Sequence, residues 1–300
     1  MTTVIWRISD GRPGHDSQSG GLVDALSRRV PVQCHELAAA PARQAFGWWL
    51  SRRFPPGDNL PAPDLLVGAG HATHLPMLAA RRRHGGRSVV LMKPSLPYRS
   101  FDLCLVPRHD APAAHDRVLL TEGALNGRVR SDRHDPDKRL VIIGGPSRHV
   151  RWDDESLLCG IVDLLQRRPS AHWSMATSRR TPAALVDRLR RRLPQVALTV
   201  YQQSTPDWLP ARLAEAGEVW VSRDSVSMIY EALTCGARVG LLDVPVVAGF
   251  DRVNAGIDRL VAEGWVTAPG AQALAAGPPQ PLDEAARCAD WIVSEWLREN

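Results

Sequence analysis

The stretch that most constrains this chain is residues 219–242, VWVSRDSVSMIYEALTCGARVGLL. Val219 to Val221 is short and apolar, and it stops at the polar turn Ser222-Arg223-Asp224-Ser225. Val226, Ile229, Tyr230 and Leu233 then recur at helical spacing, which predicts an amphipathic helix. Gly236 suits its C-terminal cap, and Arg238 to Leu242 reads as a buried parallel strand. Strand, turn, helix and strand make one βαβ unit. Such a unit sets its first turn and the helix N-terminus at the ligand edge of a sheet, where unpaired backbone N–H groups favour anions. Ser222, Ser225 and Ser227 add hydroxyls there. Glu231, one turn beyond Ser227 on the same face, brings a carboxylate suited to a ribose diol. Alone, this pattern reads as a capping serine and a solvated glutamate; the neighbouring strand ends favour the ligand reading.

The same logic runs from the N-terminus. Val4 to Ile8 reads as a strand that breaks at Ser9-Asp10-Gly11-Arg12-Pro13-Gly14-His15-Asp16, ahead of a helix over Gln18 to Arg29. The turn lacks the Gly-Lys-Ser/Thr ending of a Walker loop. His15 and Asp16 stand at its exit, as a functional pair or as the cap of a tight turn. Further strands are expected at Val30 to Leu37, Asp64 to Ala69, Ser88 to Lys93, Phe101 to Pro107 and Arg117 to Thr121. Strands alternating with helices or loops describe a doubly wound parallel sheet. Its ligand edge collects His15, His71, His74 and His109, all proton acceptors near neutral pH. His15 and His109, each followed by Asp, are the leading candidates for a general base, with Asp16 beside the first.

From Gly127 to Lys138 the chain is charged and non-periodic, which predicts a linker. The expected division is a first domain over residues 1–130 and a second over 139–282, with an amphipathic helix in 283–300 packing back onto the first. In the second domain Leu140 to Ile143 ends in Gly144-Gly145-Pro146-Ser147, and a helix follows over Trp152 to Arg167. His172 to Ala176 ends in Thr177-Ser178-Arg179-Arg180-Thr181-Pro182, and Val196 to Gln202 is a further strand. Parallel strands deliver these ends to one edge. Gly144, Gly145, Ser147, Ser178, Arg179, Arg180, Ser222, Asp224, Ser225, Ser227 and Glu231 therefore form the expected diphosphate site. The fold class is α/β: two Rossmann-like doubly wound parallel sheets facing a cleft.

Composition narrows the function. With 300 residues and 44% hydrophobic content, the chain suits two α/β domains. The net charge of +5 comes from arginine, because Lys93 and Lys138 are the only lysines. The basic residues are spread along the chain, which argues against nucleic acid and leaves phosphorylated ligands or an anionic membrane surface. Five separated cysteines, with no CxxC pair and no Cys/His ligand spacing, read as core residues in a reducing compartment, and no metal site is expected. No signal peptide or membrane span is expected, so the predicted location is the cytoplasm. Phe46, Trp48, Trp49, Leu50 and Phe54, flanked by Arg43, Arg52 and Arg53, read either as a core-facing stripe or as an interfacial helix. The second reading expects those rings to form an exposed patch, peripheral to the inner membrane.

Several blocks carry a resemblance: Gly11-Arg12-Pro13-Gly14-His15, Phe101-Asp102-Leu103 with Pro107-Arg108-His109-Asp110, Gly144 to Ser147, Thr177 to Pro182, and Ser222 to Met228. In that order, over nearly the whole chain, they resemble the mitochondrial fission ELM-like family. Bacterial members of that family look like GT-B-type glycosyltransferases, with a nucleotide-sugar donor on the C-terminal domain and no essential metal. The resemblance implies transfer of a sugar from a nucleoside diphosphate-sugar, with no further cofactor, to an unidentified acceptor such as a cell-envelope glycan or lipid-linked precursor. It gives Glu231 the place of the ribose-binding glutamate. Two rival readings stand: an inactive scaffold that binds a protein partner, and a sugar-nucleotide epimerase acting without NAD.

Overall fold

The computed structural model describes residues 2–148, 150–247, 251–271, 274 and 282–297. The chain divides into two compact units, one running to Gly127 and resuming at Asp283, the other Arg128–Leu282.

The first unit contains β1 (Thr3–Ser9), α1 (Pro13–Ser27), β2 (Val32–Ala38), α2 (Ala42–Ser51), β3 (Leu65–Ala69), α3 (His74–His84), β4 (Arg87–Leu91), β5 (Leu103–Pro107) and β6 (Val118–Thr121). Its strands form one parallel sheet in the order β2-β1-β3-β4-β5-β6. The central strand β3 is buried throughout, as a parallel strand covered on both faces should be. One core layer joins Leu22 and Leu26 of α1 to Leu65, Val67 and Val89, and the other joins Trp6, Phe54, Met77 and Phe101.

The second unit contains β7 (Asp135–Ile143), α4 (Asp154–Gln166), β8 (His172–Thr177), α5 (Ala183–Arg192), β9 (Ala197–Thr199), α6 (Trp208–Glu215), β10 (Ala216–Ser222), α7 (Val226–Cys235), β11 (Arg238–Leu242), α8 (Asp251–Ala262) and β12 (Val266–Thr267). The sheet is again parallel, in the order β12-β11-β10-β7-β8-β9. A last helix, α9 (Glu284–Ile292), is capped by the Asp283 carboxylate and buries Ala285, Cys288, Ala289 and Ile292 against the α1 layer of the first unit. Among the described residues no helix is long and apolar enough to cross a membrane.

Several sequence expectations need correction. The first helix begins at Pro13, not Gln18, because the fixed φ of proline suits a first helical position, so Gly14, His15 and Asp16 lie inside α1. The expected linker is structured. Asp135 to Lys138 open β7, polar only because they form the exposed entry of the strand, and Arg139 beyond them is buried against Glu218 at 3.0 Å. Ahead of β7, Ser131 Oγ donates to the Ala214 carbonyl at 2.6 Å, and the two His134 ring nitrogens lie 2.8 Å from the Ala216 and Cys235 carbonyls. The strand expected over Val196 to Gln202 shrinks to β9, because residues 201–203 turn as a 3-10 segment. The aromatic helix splits its side chains. Phe54 is 1% exposed and stacks on Trp6, Trp48 and Trp49 are half-buried, and Phe46 and Leu50 remain exposed.

Candidate functional site

In the second unit the chain lays β8 and β9 to one side of β7 and β10, β11 and β12 to the other. The strand order reverses between β7 and β10, and open α/β sheets bind ligands at such switch points. Gly144 and Gly145 end β7 there, and Ser222 to Ser225 end β10.

Side chains knit these ends together. Gly144 N–H donates to Ser222 Oγ at 2.7 Å and Gly145 N–H to Asp224 Oδ2 at 3.0 Å. Arg180, beyond β8, donates to the same oxygen at 2.6 Å and to the Gly145 carbonyl at 2.9 Å. The Asp224 side chain is wholly buried, and its Oδ1 has no hydrogen-bond partner among the described residues. Thr181 Oγ1 donates to the Gly144 carbonyl at 2.5 Å and accepts the Ser178 N–H at 2.9 Å. Glycine is required at 144, since a Cβ would stand 2.1 Å from Asp224 Oδ2 and 2.2 Å from Ser225 Oγ. Much of the expected phosphate cradle is therefore committed to its own architecture, with Arg180 serving as a strap. What stays open is the first turn of α7, which no side chain caps among the described residues, together with exposed Ser227 and exposed Arg179, whose guanidinium stands 5.8 Å from the Tyr201 ring centre. Ser147 lies partly buried just beyond the glycines.

Glu231 sits on α7 with a side chain 20% exposed, 3.7 Å from Arg128 Nε. Burial raises its carboxyl above the usual range, and the Arg128 charge offsets this only in part. It is thus a half-buried carboxylate and not a solvated one. Elsewhere in the second unit a cavity of about 250 Å³ opens between α4 and the end of β11, lined by Leu157, Leu164, Trp220, Leu242 and Asp243 and by none of these site residues.

In the first unit the corresponding switch point falls between β1 and β3. His15, in the first turn of α1, places Nδ1 2.9 Å from Asp10 Oδ2, and the Asp10 side chain is 5% exposed. Burial alone would raise the Asp10 carboxyl, but hydrogen bonds from His15 and the Arg12 N–H outweigh it and hold it below its ordinary value. A carboxylate partner fixes the proton on Nδ1 and leaves the lone pair on Nε2. Gly70, at the end of β3 with φ +82°, lies flat against this imidazole, where any Cβ would stand 2.3 Å from Cε1. Asp16 turns away from His15: it accepts from Ser9 Oγ and, at 3.3 Å, from Arg7. His109 follows β5, separated from β1 by β3 and β4, with its ring 3.9 Å from Asp110. His74 is a core residue, 2% exposed beside Phe101, and burial with nearby His71 pushes its pKa down to about 4. Sequence reasoning passed over Asp10 as the partner of His15, although an aspartate at a strand end ahead of a helix was its signal. Thr181 and Gly70 stand at expected strand ends, but nothing in the pattern pointed to the bonds Thr181 makes, to the closeness of Gly70 to His15, or to Arg128. Among the described residues no three His, Cys, Asp or Glu side chains gather as a metal site.

A family model described as mitochondrial fission ELM1 matches residues 13–296. The chain belongs to the mitochondrial fission ELM1 family. An uncharacterised protein of Rickettsia prowazekii is 24% identical to this family member, over 77% of this chain and 81% of its own. Among solved structures, the UDP-GlcNAc 2-epimerase of Methanocaldococcus jannaschii matches with a TM-score of 0.55 at 9% identity, covering 98% of this chain and 100% of that one. The MnaA–UDP co-structure from S. aureus gives 0.52 at 12%, covering 98% and 88%. A glycosyltransferase from Rickettsia africae gives 0.50 at 8%, also covering 98% and 88%. At such identities the likeness shows the fold: this ELM1-family chain has the two Rossmann-like domains of the GT-B type.

Proposed function

We propose that this protein is a GT-B-type glycosyltransferase that moves a sugar from a nucleoside diphosphate-sugar to an acceptor hydroxyl on a cell-envelope glycan or lipid-linked precursor. The observation that carries this is the β7/β10 switch point, where an uncapped helix N-terminus, exposed Ser227 and half-buried Glu231 follow one another along α7. Backbone N–H groups and Ser227 would take the diphosphate, Arg179 would add charge, and Glu231 would accept from the ribose hydroxyls. As the sugar–phosphate bond breaks, these donors stabilise the negative charge on the departing diphosphate. His15, with Nδ1 held by Asp10, would take the acceptor proton on Nε2, and His109 is the second candidate base. The proposal assigns no metal or further cofactor to these steps.

A second reading, a sugar-nucleotide epimerase, is favoured by the likeness to a UDP-GlcNAc 2-epimerase. Product analysis with labelled nucleoside diphosphate-sugars separates the readings. Sugar transferred to an acceptor or released by hydrolysis supports the first, and an isomerised sugar nucleotide supports the second. Unchanged donor together with no nucleotide binding would overturn both and leave a scaffold.

A further inference from the structure

The α2–α3 face of the first unit has the makings of a docking surface. Along α2, Arg43, Phe46 and Leu50 fall at i, i+3 and i+7 and so share one side of the helix. Phe46 is 51% and Leu50 65% exposed, whereas Ala45 is buried, Trp48 packs on the core from the far side of the helix, and half-buried Trp49 sits at the edge beside Phe46. Large apolar side chains exposed together on one helix face mark a contact surface.

What surrounds them identifies the partner. The helix ends in Arg52 and Arg53, and α3 packs alongside with Arg82 and Arg83. All five arginines, Arg43 included, are exposed, and none forms an ion pair among the described residues. Arg82 lies 4.6 Å from the Trp49 ring centre, on the same side as the exposed apolar pair, since the Trp49 ring stacks on Phe46 at 6.0 Å. Residues 37–57 and 65–101 contain no Asp or Glu, so no acidic side chain on either helix offsets this charge. The arginines are dispersed along the chain and become a cluster only through the packing of α2 on α3.

We propose that this face docks the protein on an anionic lipid surface, with Phe46 and Leu50 entering the headgroup–acyl boundary and the arginines meeting lipid phosphates. Phosphates complement the charge. The apolar pair distinguishes a lipid surface from a polyanion in water, which offers those side chains no apolar phase. The inference stands on the first unit alone and is independent of the donor-site reading.

The test is co-sedimentation of the full chain with vesicles of phosphatidylcholine alone and of phosphatidylcholine mixed with phosphatidylglycerol. Binding to the mixed vesicles is expected to be tighter by about tenfold or more and to weaken with salt. Phe46→Ser with Leu50→Ser, and separately Arg43→Gln with Arg83→Gln, should each lose about tenfold of that binding while leaving the melting temperature unchanged, since all four side chains are exposed. Equal binding to both vesicle types, or anionic binding that the serine pair leaves intact, would overturn the proposal. So would self-association that the serine pair abolishes without vesicles, or displacement from vesicles by RNA at charge equivalence. Nucleoside diphosphate binding, measured on the same variants, should not change, which separates this surface from the donor site.

Discussion

Arg180 and Asp224 meet at 2.6 Å, joining the turn after β8 to the turn after β10 and closing over the Gly145 carbonyl. Two adjacent arginines therefore take different work, because Arg179 has no such partner among the described residues and lies exposed near Tyr201. Arg180→Ala would leave a wholly buried carboxylate without its cation. Since Arg180 itself is part-exposed, we expect a loss of about 1 to 3 kcal/mol in unfolding free energy, read by denaturant titration. Arg179→Ala should leave that titration unchanged and weaken nucleoside diphosphate binding. The reverse pattern would show that Arg180 is the phosphate ligand.

Glu231→Gln should separate stability from binding. Burial raises the folded-state pKa above the ordinary 4.5, so the ionised carboxylate costs stability at neutral pH and the cost disappears as pH falls through the raised value. The amide carries no such cost. Thermal melts should therefore place Glu231→Gln above the parent at pH 7 and level with it below about pH 4.5. Nucleoside diphosphate affinity should fall roughly tenfold, from the loss of a charged acceptor. A variant that binds as the parent does would remove Glu231 from the donor site.

Asp10→Asn tests the imidazole. Without its carboxylate the His15 ring loses the partner that fixes its tautomer, and kcat should fall by roughly a hundredfold while nucleoside diphosphate affinity holds. Because the Asp10 carboxyl is held below its ordinary value, the parent should also lose stability in strong acid, below about pH 4, and Asp10→Asn should not.

His74 should govern behaviour in milder acid. Its folded pKa of about 4 lies below the ordinary 6.5, so the unfolded chain binds the extra proton between those values. Stability is full above about pH 6.5 and falls as pH drops toward 4. His74→Phe should flatten the melting temperature across that window.

Sheet order was not readable in the sequence, yet the strands were. Val219–Val221, Leu140–Ile143 and Asp64–Ala69 are apolar runs bounded by turn residues, which is how a strand covered on both faces must read. Asp135 to Lys138 were missed because a polar strand entry looks like a loop until its neighbours are known. In the donor region, the glycines and serines were visible as strand ends, but their bonding to one another was not. The commitment of Arg180 to Asp224 depends on tertiary approach over 44 residues, which no local pattern encodes. The same holds for Glu231, whose ion pair with Arg128 joins distant parts of the chain, and for the Phe46 helix, whose charge comes partly from α3.

The return of the chain at Asp283 has a consequence for biosynthesis. Unit one is discontinuous: α9 supplies Ala285, Cys288, Ala289 and Ile292 to a layer whose other members lie before residue 127. A ribosome releases the first half of that layer long before its closing helix. The earlier segment therefore waits with an apolar face uncovered while the whole of Arg128–Leu282 is made. For that interval the nascent chain carries exposed apolar surface, the state most prone to aggregate.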